Sequence, residues 1–131
     1  MWICDTNIIS EVMKRSPDPR VDRWLRELTR IALSVVTVEE IHYGLEVKGF
    51  EAQKVWFEKF RMAKCEVLAI DDAIARRAGE LRAGMRRSGQ VRTQADMFIA
   101  ATAALHGLPL ATRNVRDFER CGVAVMNPFE A

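Results

Sequence analysis

The sequence predicts an α/β domain in which a mostly parallel central sheet of about five short strands is flanked by helices. Short apolar and β-branched runs alternate along the chain with longer segments whose apolar residues recur at helical spacing. Strands separated by helices run parallel, because each crossover returns the chain to the same end of the sheet. The length of 131 residues is enough for one hydrophobic core, so a single domain over residues 1–131 is expected.

The first half of the chain is predicted to contribute two strands and four helices. Both strands are short and apolar, and Pro17 and Pro19 separate the first two helices, because proline favours a turn over a continuing helix. Thr37 is expected to open the third helix, and Gly49 to end it. The strands are predicted over residues 1–4 and 31–36, and the helices over residues 8–14, 21–28, 37–48 and 52–62.

The second half is predicted to supply three strands and two long helices. Asp71 or Asp72 is expected to cap the first of these helices, because its side chain can accept a free amide of the first turn. Thr93 or Gln94 is expected to start the second, and Gly107 to stop it. The strands are predicted over residues 65–70, 108–112 and 123–126, the helices end at residues 87 and 106, and residues 114–120 form a turn or short helix.

The composition is that of a soluble globular protein, with 49% hydrophobic and 29% charged residues. No apolar stretch reaches the roughly 20 residues that span a bilayer, and no export signal is recognisable, so no membrane association is expected. The three cysteines are widely spaced and form no CxxC pair, which disfavours disulfides and zinc and favours a reducing cytoplasm. The net charge is only +2, but fifteen arginines against five lysines suit either a nucleic acid or an acidic protein partner.

Three acids follow predicted strands at or near their carboxyl ends, where parallel sheets bind ligands. These acids are Asp5, Glu40 and Asp117. Each also has a structural explanation. Asp5 fits a helix cap and Asp117 fits a turn, while Glu40 fits a capping box with Thr37. Taken alone, Asp5 and Glu40 are explained at least as well by capping as by function.

A fourth acid, Asp96, lies in line with the core-facing positions Ile99 and Ala103 of its predicted helix. A carboxylate on that face is costly to bury unless it is paired with a cation or bound to a metal. If all four acids meet at one rim, their like charges oppose ionisation, and a divalent cation removes this difficulty. Carboxylate oxygens without histidine or cysteine favour hard ions, so one or two Mg²⁺ or Mn²⁺ ions are expected.

Four segments of the chain, in order and at the usual distances, resemble the motifs of PIN domains. Any one of them is a weak signal, but the four together are highly specific and cover nearly the whole chain. Within that family the likeness is to the VapC/FitB-type toxins of bacterial toxin–antitoxin pairs. The segments are DTNIISE (residues 5–11), SVVTVEEI (34–41), DMFIAATA (96–103) and TRNVRDF (112–118), followed by NPF (127–129).

The resemblance implies a PIN-like domain that is a Mg²⁺- or Mn²⁺-dependent endoribonuclease acting as a toxin. It further implies a homodimer that a small cognate antitoxin protein holds inactive. RNA is therefore the expected substrate. The catalytic and metal-binding acids it implies are Asp5, Glu40, Asp96 and Asp117.

The resemblance also implies a polar shell around the acids. Some PIN domains carry a further acid where this chain has asparagine, which leaves four acids for one or two ions. The shell positions are Thr6, Asn7, Thr112 and Asn114.

Arginines near these motifs are the expected contacts to the substrate phosphates. Arg113 and Arg116 flank the fourth motif, and Arg92 ends an arginine-rich stretch, residues 82–92, that leads into the helix bearing Asp96. The alternative for that stretch is a solvated helix end, where cations interact favourably with the helix dipole.

Two other function classes stay open at this point. Hydrolysis by a metal-activated water does not need the RNA 2′-hydroxyl, so a metal nuclease acting on DNA or in RNA processing is one alternative. The other is a non-catalytic PIN-shaped binding module that works with its antitoxin as a co-repressor. Loss of one of the four acids would favour that module, and all four are present.

Overall fold

The computed structural model describes residues 1–131 as one five-stranded sheet with six α-helices and two short 3₁₀ helices. The strands are β1 (Trp2–Cys4), β2 (Ile31–Ser34), β3 (Cys65–Leu68), β4 (Leu110–Ala111) and β5 (Val125–Met126). The helices are α1 (Thr6–Val12), α2 (Pro19–Arg26), α3 (Val35–Lys48), α4 (Glu51–Lys64), α5 (Asp72–Arg87) and α6 (Gln94–His106). The 3₁₀ helices span Val115–Phe118 and Pro128–Glu130. No helix has the length and apolar content that crossing a membrane requires.

The sheet is parallel throughout and has the strand order β3-β2-β1-β4-β5, which confirms the predicted fold class. The central strand β1 pairs with β2 on one side and with β4 on the other, so that Ile3 lies beside both Ala32 and Leu110. The chain builds outward from β1 to β3 and then crosses back to β4 and β5. The order therefore reverses between β1 and β4, and the crevice beyond their carboxyl ends is where such sheets bind ligands.

Two hydrophobic clusters cover the two faces of this sheet. Successive residues of a strand point to opposite faces. Ile3 and Leu110 belong to the cluster formed with α5 and α6, and Cys4 and Ala111 belong to the cluster formed with α1 to α4. All four of these residues are fully buried. The ends of β1 and β4 are thus fixed from both faces, which fixes the residues that follow them.

The ends of the two long helices in the second half are capped as predicted. The Ile74 amide donates to the Asp71 carboxylate at 2.9 Å, and the Asp96 amide donates to the Thr93 hydroxyl at 3.0 Å. Gly107 ends α6 in the left-handed region, with φ of 63°, where a residue without a side chain is favoured. These local signals were readable from the sequence because each involves residues within one turn.

The predicted start of α3 is wrong. The helix begins at Val35, because the Val36 amide donates to the Ser34 side chain at 3.1 Å and Ser34 is the N-cap. The β-branched Val35 and Val36 favour a strand, but the pairing of β2 with β3 ends at Ser34. Thr37 is therefore a buried residue of the first turn, and no capping box with Glu40 forms. The strands predicted over residues 65–70, 108–112 and 123–126 are also shorter than expected.

Candidate active site

Asp5 follows β1 directly and lies at the switch point, where the strand order reverses between β1 and β4. Its backbone and its side chain both hold it there. Its amide donates to the Ala111 carbonyl at 2.9 Å, which continues the pairing of β1 with β4 by one residue. Its Oδ1 accepts the Thr6 amide at 2.7 Å, so Asp5 is the N-cap of α1. The residue is only 5% exposed. Capping and a place in the candidate site are therefore compatible, because the cap uses only one carboxylate oxygen.

The second carboxylate oxygen of Asp5 connects α1 to the end of β4. Oδ2 accepts the Thr112 hydroxyl at 2.8 Å and the Asn7 side-chain amide at 3.2 Å. Thr112 is fully buried, and its oxygen in turn accepts the Asn114 amide at 3.0 Å. Three of the four predicted shell residues thus surround one carboxylate. They hold it in a fixed orientation, with Thr6 and Asn7 as neighbours in sequence and Thr112 as a partner 107 residues away.

Asn7 links this carboxylate to the loop after β4. Its side-chain oxygen accepts the Arg113 amide at 3.2 Å. The Arg113 guanidinium lies over the Phe129 ring, 4.7 Å from the ring centre, and Phe129 is 8% exposed. The predicted substrate contact Arg113 is therefore at the site, with its guanidinium stacked on an aromatic face.

Glu40 is exposed and reaches the site from α3. Its Oε1 accepts the Thr6 hydroxyl at 2.7 Å, and the Thr6 and Thr37 hydroxyl oxygens lie 3.1 Å apart. Thr37 is a supporting residue that the sequence interpretation assigned to a cap. The available signal was its spacing of three residues from Glu40, which places both on one face of a helix.

Asp96 and Asp117 are carried by elements of the second half of the chain. Asp96 lies half-buried in the first turn of α6, and Asp117 lies half-buried in the 3₁₀ helix after β4. Burial raises the pKa of Asp96, the negative charges of Asp117 and Glu40 raise it further, and Thr93 and Arg92 offset part of the rise. The acids predicted from three separate motifs therefore act on one another electrostatically.

Asp5 carries a large pKa shift. Burial raises its pKa to about 6, and the charges of Asp96 and Glu40 contribute in the same direction. The hydrogen bonds from Thr112 and Thr6 lower the pKa and only partly oppose this rise. A buried carboxylate with this shift, set in a cleft, is typical of functional sites.

Three of the four acids open into a cavity of about 400 Å³. Asp5, Glu40 and Asp96 line it together with Arg113 and Asn114. With the side chains as they stand, no three His, Cys, Asp or Glu residues are arranged closely enough to hold a metal ion. Three of the four predicted acids thus share one cavity without closing around a single point, and Asp117 is not part of its lining.

Arg92 braces the loop that bears Asp117. Its Nε donates to the Asp117 carbonyl at 3.1 Å, and Nη2 donates to the Gln90 side chain at 3.0 Å and to the Arg116 carbonyl at 3.4 Å. Most of its donors therefore have partners within the chain, whereas Arg116 is exposed. Direct contact of these arginines with a substrate stays a prediction.

The chain matches known proteins along nearly its whole length. The PIN domain model matches residues 2–123. The chain is 34% identical to VapC ribonuclease Y4jK of Sinorhizobium fredii over 138 residues, which covers 99% of each protein. It is 32% identical to toxin FitB of Neisseria gonorrhoeae over 137 residues, which covers 98% of this chain and 99% of FitB.

A solved structure gives the same result in three dimensions. The crystal structure of FitAcB from Neisseria gonorrhoeae superposes with a TM-score of 0.86 at 31% identity, over 100% of both chains. Sequence and fold therefore agree over nearly the whole chain. The chain belongs to the PIN-domain family, in the group of the VapC and FitB proteins.

Proposed function

We propose that this chain is a Mg²⁺- or Mn²⁺-dependent endoribonuclease and acts as the toxin of a toxin–antitoxin pair. The observation that carries the proposal is the buried Asp5 carboxylate, whose pKa is raised to about 6 beside Asp96 and Glu40. It lies at the switch point of the sheet, where the fold binds ligands. Similarity to a VapC ribonuclease and to toxin FitB supports RNA as the substrate and toxicity as the role.

The donor set fits a hard divalent ion. None of the four acids has a lysine, arginine or histidine nitrogen within 4.0 Å, so none of them forms an ion pair within the protein. We assign Asp5 and Asp96 as direct ligands, and Glu40 and Asp117 as ligands acting directly or through water. Mg²⁺ usually keeps several waters, so an open arrangement of acids suits it. Whether one ion or two are held depends on all four acids together.

The chain's own residues have distinct roles in the proposed reaction. When bound, a divalent ion supplies an acidified water and positive charge beside the phosphate. Thr112 and the Thr6 amide hold the Asp5 carboxylate in place, and the Thr6 hydroxyl holds Glu40. Glu40 and Asp117 orient the attacking water, and the fixed geometry supplies much of the rate enhancement.

The proposed antitoxin needs a surface, and α3 and α4 offer one. Tyr43 and Val47 lie one turn apart on α3 and are 67% and 69% exposed. On neighbouring α4, Trp56 stacks on Phe60 with ring centres 4.9 Å apart. Exposed apolar groups in this number mark protein interfaces. We assign this surface to the antitoxin and expect the chain to form a homodimer as well.

RNA cleavage by the purified chain, freed of antitoxin, tests the proposed activity. Total RNA is incubated with Mg²⁺, Mn²⁺ or EDTA, and the variants are Asp96→Asn and Glu40→Gln. Glu39→Gln is the matched control, because Glu39 is the exposed neighbour on the same helix. We expect cleavage in either metal, none in EDTA, and loss in the two site variants only.

Two results would contradict this proposal in different ways. Cleavage that persists in EDTA, or in both folded site variants, would place the chemistry elsewhere or in a contaminant. Absence of cleavage with any RNA, together with tight binding of an antitoxin, would favour the non-catalytic binding module.

A further inference from the structure

We propose that an arginine cleft between the end of α5 and the loop before α6 binds the phosphate backbone of the RNA substrate outside the reacting position. The arginine cleft is defined by Arg82, Arg86 and Arg92. This inference rests on the proposed ribonuclease function and adds a binding surface to it.

The arginine cleft is an open depression of about 430 Å³ between the end of α5 and the loop before α6. Small side chains leave its floor open, and no atom lies within 4 Å of the position a Cβ would take at Gly79. No acidic side chain lines it. Its lining consists of Gly79, Arg82, Ala83, Arg86, Val91 and Arg92.

The arginines of α5 fall into two groups. Arg76 pairs with Asp72 at 2.9 Å and Arg77 pairs with Glu80 at 4.0 Å, whereas Arg82 and Arg86 have no acidic partner. A favourable interaction with the helix dipole explains cations only in the last turn, which contains Arg86 and Arg87. Arg82 lies before that turn, so the dipole does not account for it.

The arginine cleft and the acidic crevice share one loop. Arg92 lines the cleft and also donates to the Asp117 and Arg116 carbonyls. A polyanion bound along Arg82 and Arg86 therefore passes beside the segment that carries Asp117.

The electrostatics of the crevice favour such a surface. Without metal the acids repel an approaching phosphate chain, and a nearby region of positive potential offsets that repulsion. The planar fork of arginine also matches two phosphate oxygens at once, which lysine does not. Charge complementarity thus favours a phosphate backbone over an uncharged ligand.

RNA binding in EDTA tests the arginine cleft apart from catalysis. The probe is fluorescein-labelled poly(U), and its anisotropy is followed at several salt concentrations. The variant is Arg82→Gln with Arg86→Gln, and the matched control is Arg76→Gln with Arg77→Gln on the same helix. Both double variants remove the same charge, so a difference between them reports position.

We expect the cleft variant to bind about tenfold more weakly than the control. Its slope of log K against log salt should be smaller by about 1.4, because each single-strand phosphate contact contributes about 0.7. The doubly substituted Arg82→Lys, Arg86→Lys chain should recover the slope but only part of the affinity, since it keeps the charges and loses the forks. Thermal melts of all variants verify that each is folded.

Three outcomes would overturn the inference. Equal weakening by both double variants would mean that only net charge matters, and unchanged binding in the cleft variant would remove the cleft from the RNA path. Binding of polyglutamate as tight as that of poly(U), and lost with the same two arginines, would make the cleft a docking site for an acidic protein segment. Failure of the proposed function is a separate result, since the wild-type chain would then neither bind nor cleave RNA.

Discussion

Two buried acids lie close together in the chain and have opposite electrostatic environments. Asp5 caps the start of α1 and is 5% exposed, while Glu11 lies near the end of α1 and is 6% exposed. The Glu11 carboxylate accepts hydrogen bonds from the Lys14 ammonium at 2.9 Å and from the Asp18 amide at 2.9 Å. The hydrogen bond from Lys14 is the main reason that the pKa of Glu11 is lowered. Asp5 has hydrogen bonds but no cation, and its pKa is raised to about 6.

This difference is the basis on which we propose that Asp5 is a functional acid and Glu11 a structural one. A buried carboxylate that only supports the fold is expected to be stabilised in its charged form by a cationic neighbour, as Glu11 is. Asp5 has no cationic partner and lies next to other acids, whereas Glu11 is paired with Lys14, although both carboxylates line the same cavity. Burial alone would have treated the two alike, so the informative property is the missing cation.

The largest expected difference between the two acids is in RNA cleavage, when each acid is replaced by its amide. Asp5→Asn removes a proposed metal ligand and should lower RNA cleavage more than about a hundredfold, because even supporting residues around a metal are worth 10–100-fold. Glu11→Gln should keep activity within about threefold under conditions where both variants are folded. Initial rates of RNA cleavage in Mg²⁺ measure this. Equal losses of cleavage in the two variants would contradict the proposed distinction between Asp5 and Glu11.

A smaller loss is expected from the residue that holds Asp5. Thr112→Val keeps the shape but removes the hydroxyl that donates to Asp5 Oδ2 at 2.8 Å. Cleavage should fall by about 10–100-fold, and the metal concentration for half-maximal rate should rise. Thr102→Val is the control, because its hydroxyl also donates within the fold, to the Phe98 carbonyl, but away from the acids. An unchanged metal dependence in Thr112→Val would assign that hydroxyl to the fold alone.

Stability should change in opposite directions for the two acids. In metal-free buffer at neutral pH, Asp5→Asn should raise the free energy of unfolding by about 1–3 kcal/mol, since it removes an uncompensated buried charge. Glu11→Gln should lower it by about 1–2 kcal/mol, since charged hydrogen bonds are lost. Urea unfolding of both variants and the wild type measures the direction of each change in the free energy of unfolding. Destabilisation by Asp5→Asn would mean that its hydrogen bonds outweigh the cost of the charge.

The smallest and most specific effect should be the pH dependence of the stabilisation that Asp5→Asn gives. The pKa of Asp5 rises from 3.8 to about 6 on folding, so the native state binds more protons than the unfolded state between these values. The free energy of unfolding of the wild type therefore rises as pH falls from about 6 to about 4, because Asp5 becomes protonated. Above about pH 6 the charged carboxylate continues to destabilise the native state. The advantage of Asp5→Asn should vanish near pH 4, which urea titrations at several pH values can follow.

Much of the fold was predictable because its signals are local. The caps at Asp71 and Thr93 and the stop at Gly107 involve only residues within one turn. The placement of Asp5, Glu40 and Asp96 around one cavity was predictable from the rule that parallel strands end at one rim, while the role of the four acids stays a proposal. Asp5 also shows that a helix cap can line that cavity.

Contacts across the chain were not predictable in the same way. The sequence favoured Thr37 as a cap, but sheet pairing ends at Ser34, and the Glu40 carboxylate is bound by Thr6 instead. Likewise, no local pattern indicates that Asn7 accepts the Arg113 amide or that Arg92 braces the Asp117 loop. Such pairs depend on the packing of the helices against the sheet.

The central position of β1 also has a consequence for the order in which the site is built during synthesis. β1 is made first, yet one of its two neighbours, β4, is formed by Leu110–Ala111. Asp5 therefore leaves the ribosome long before Thr112 and Asp117, which complete its surroundings. A nascent chain therefore carries an incomplete site until β4 and the residues after it have been made. The crevice is assembled only when β4 pairs with β1.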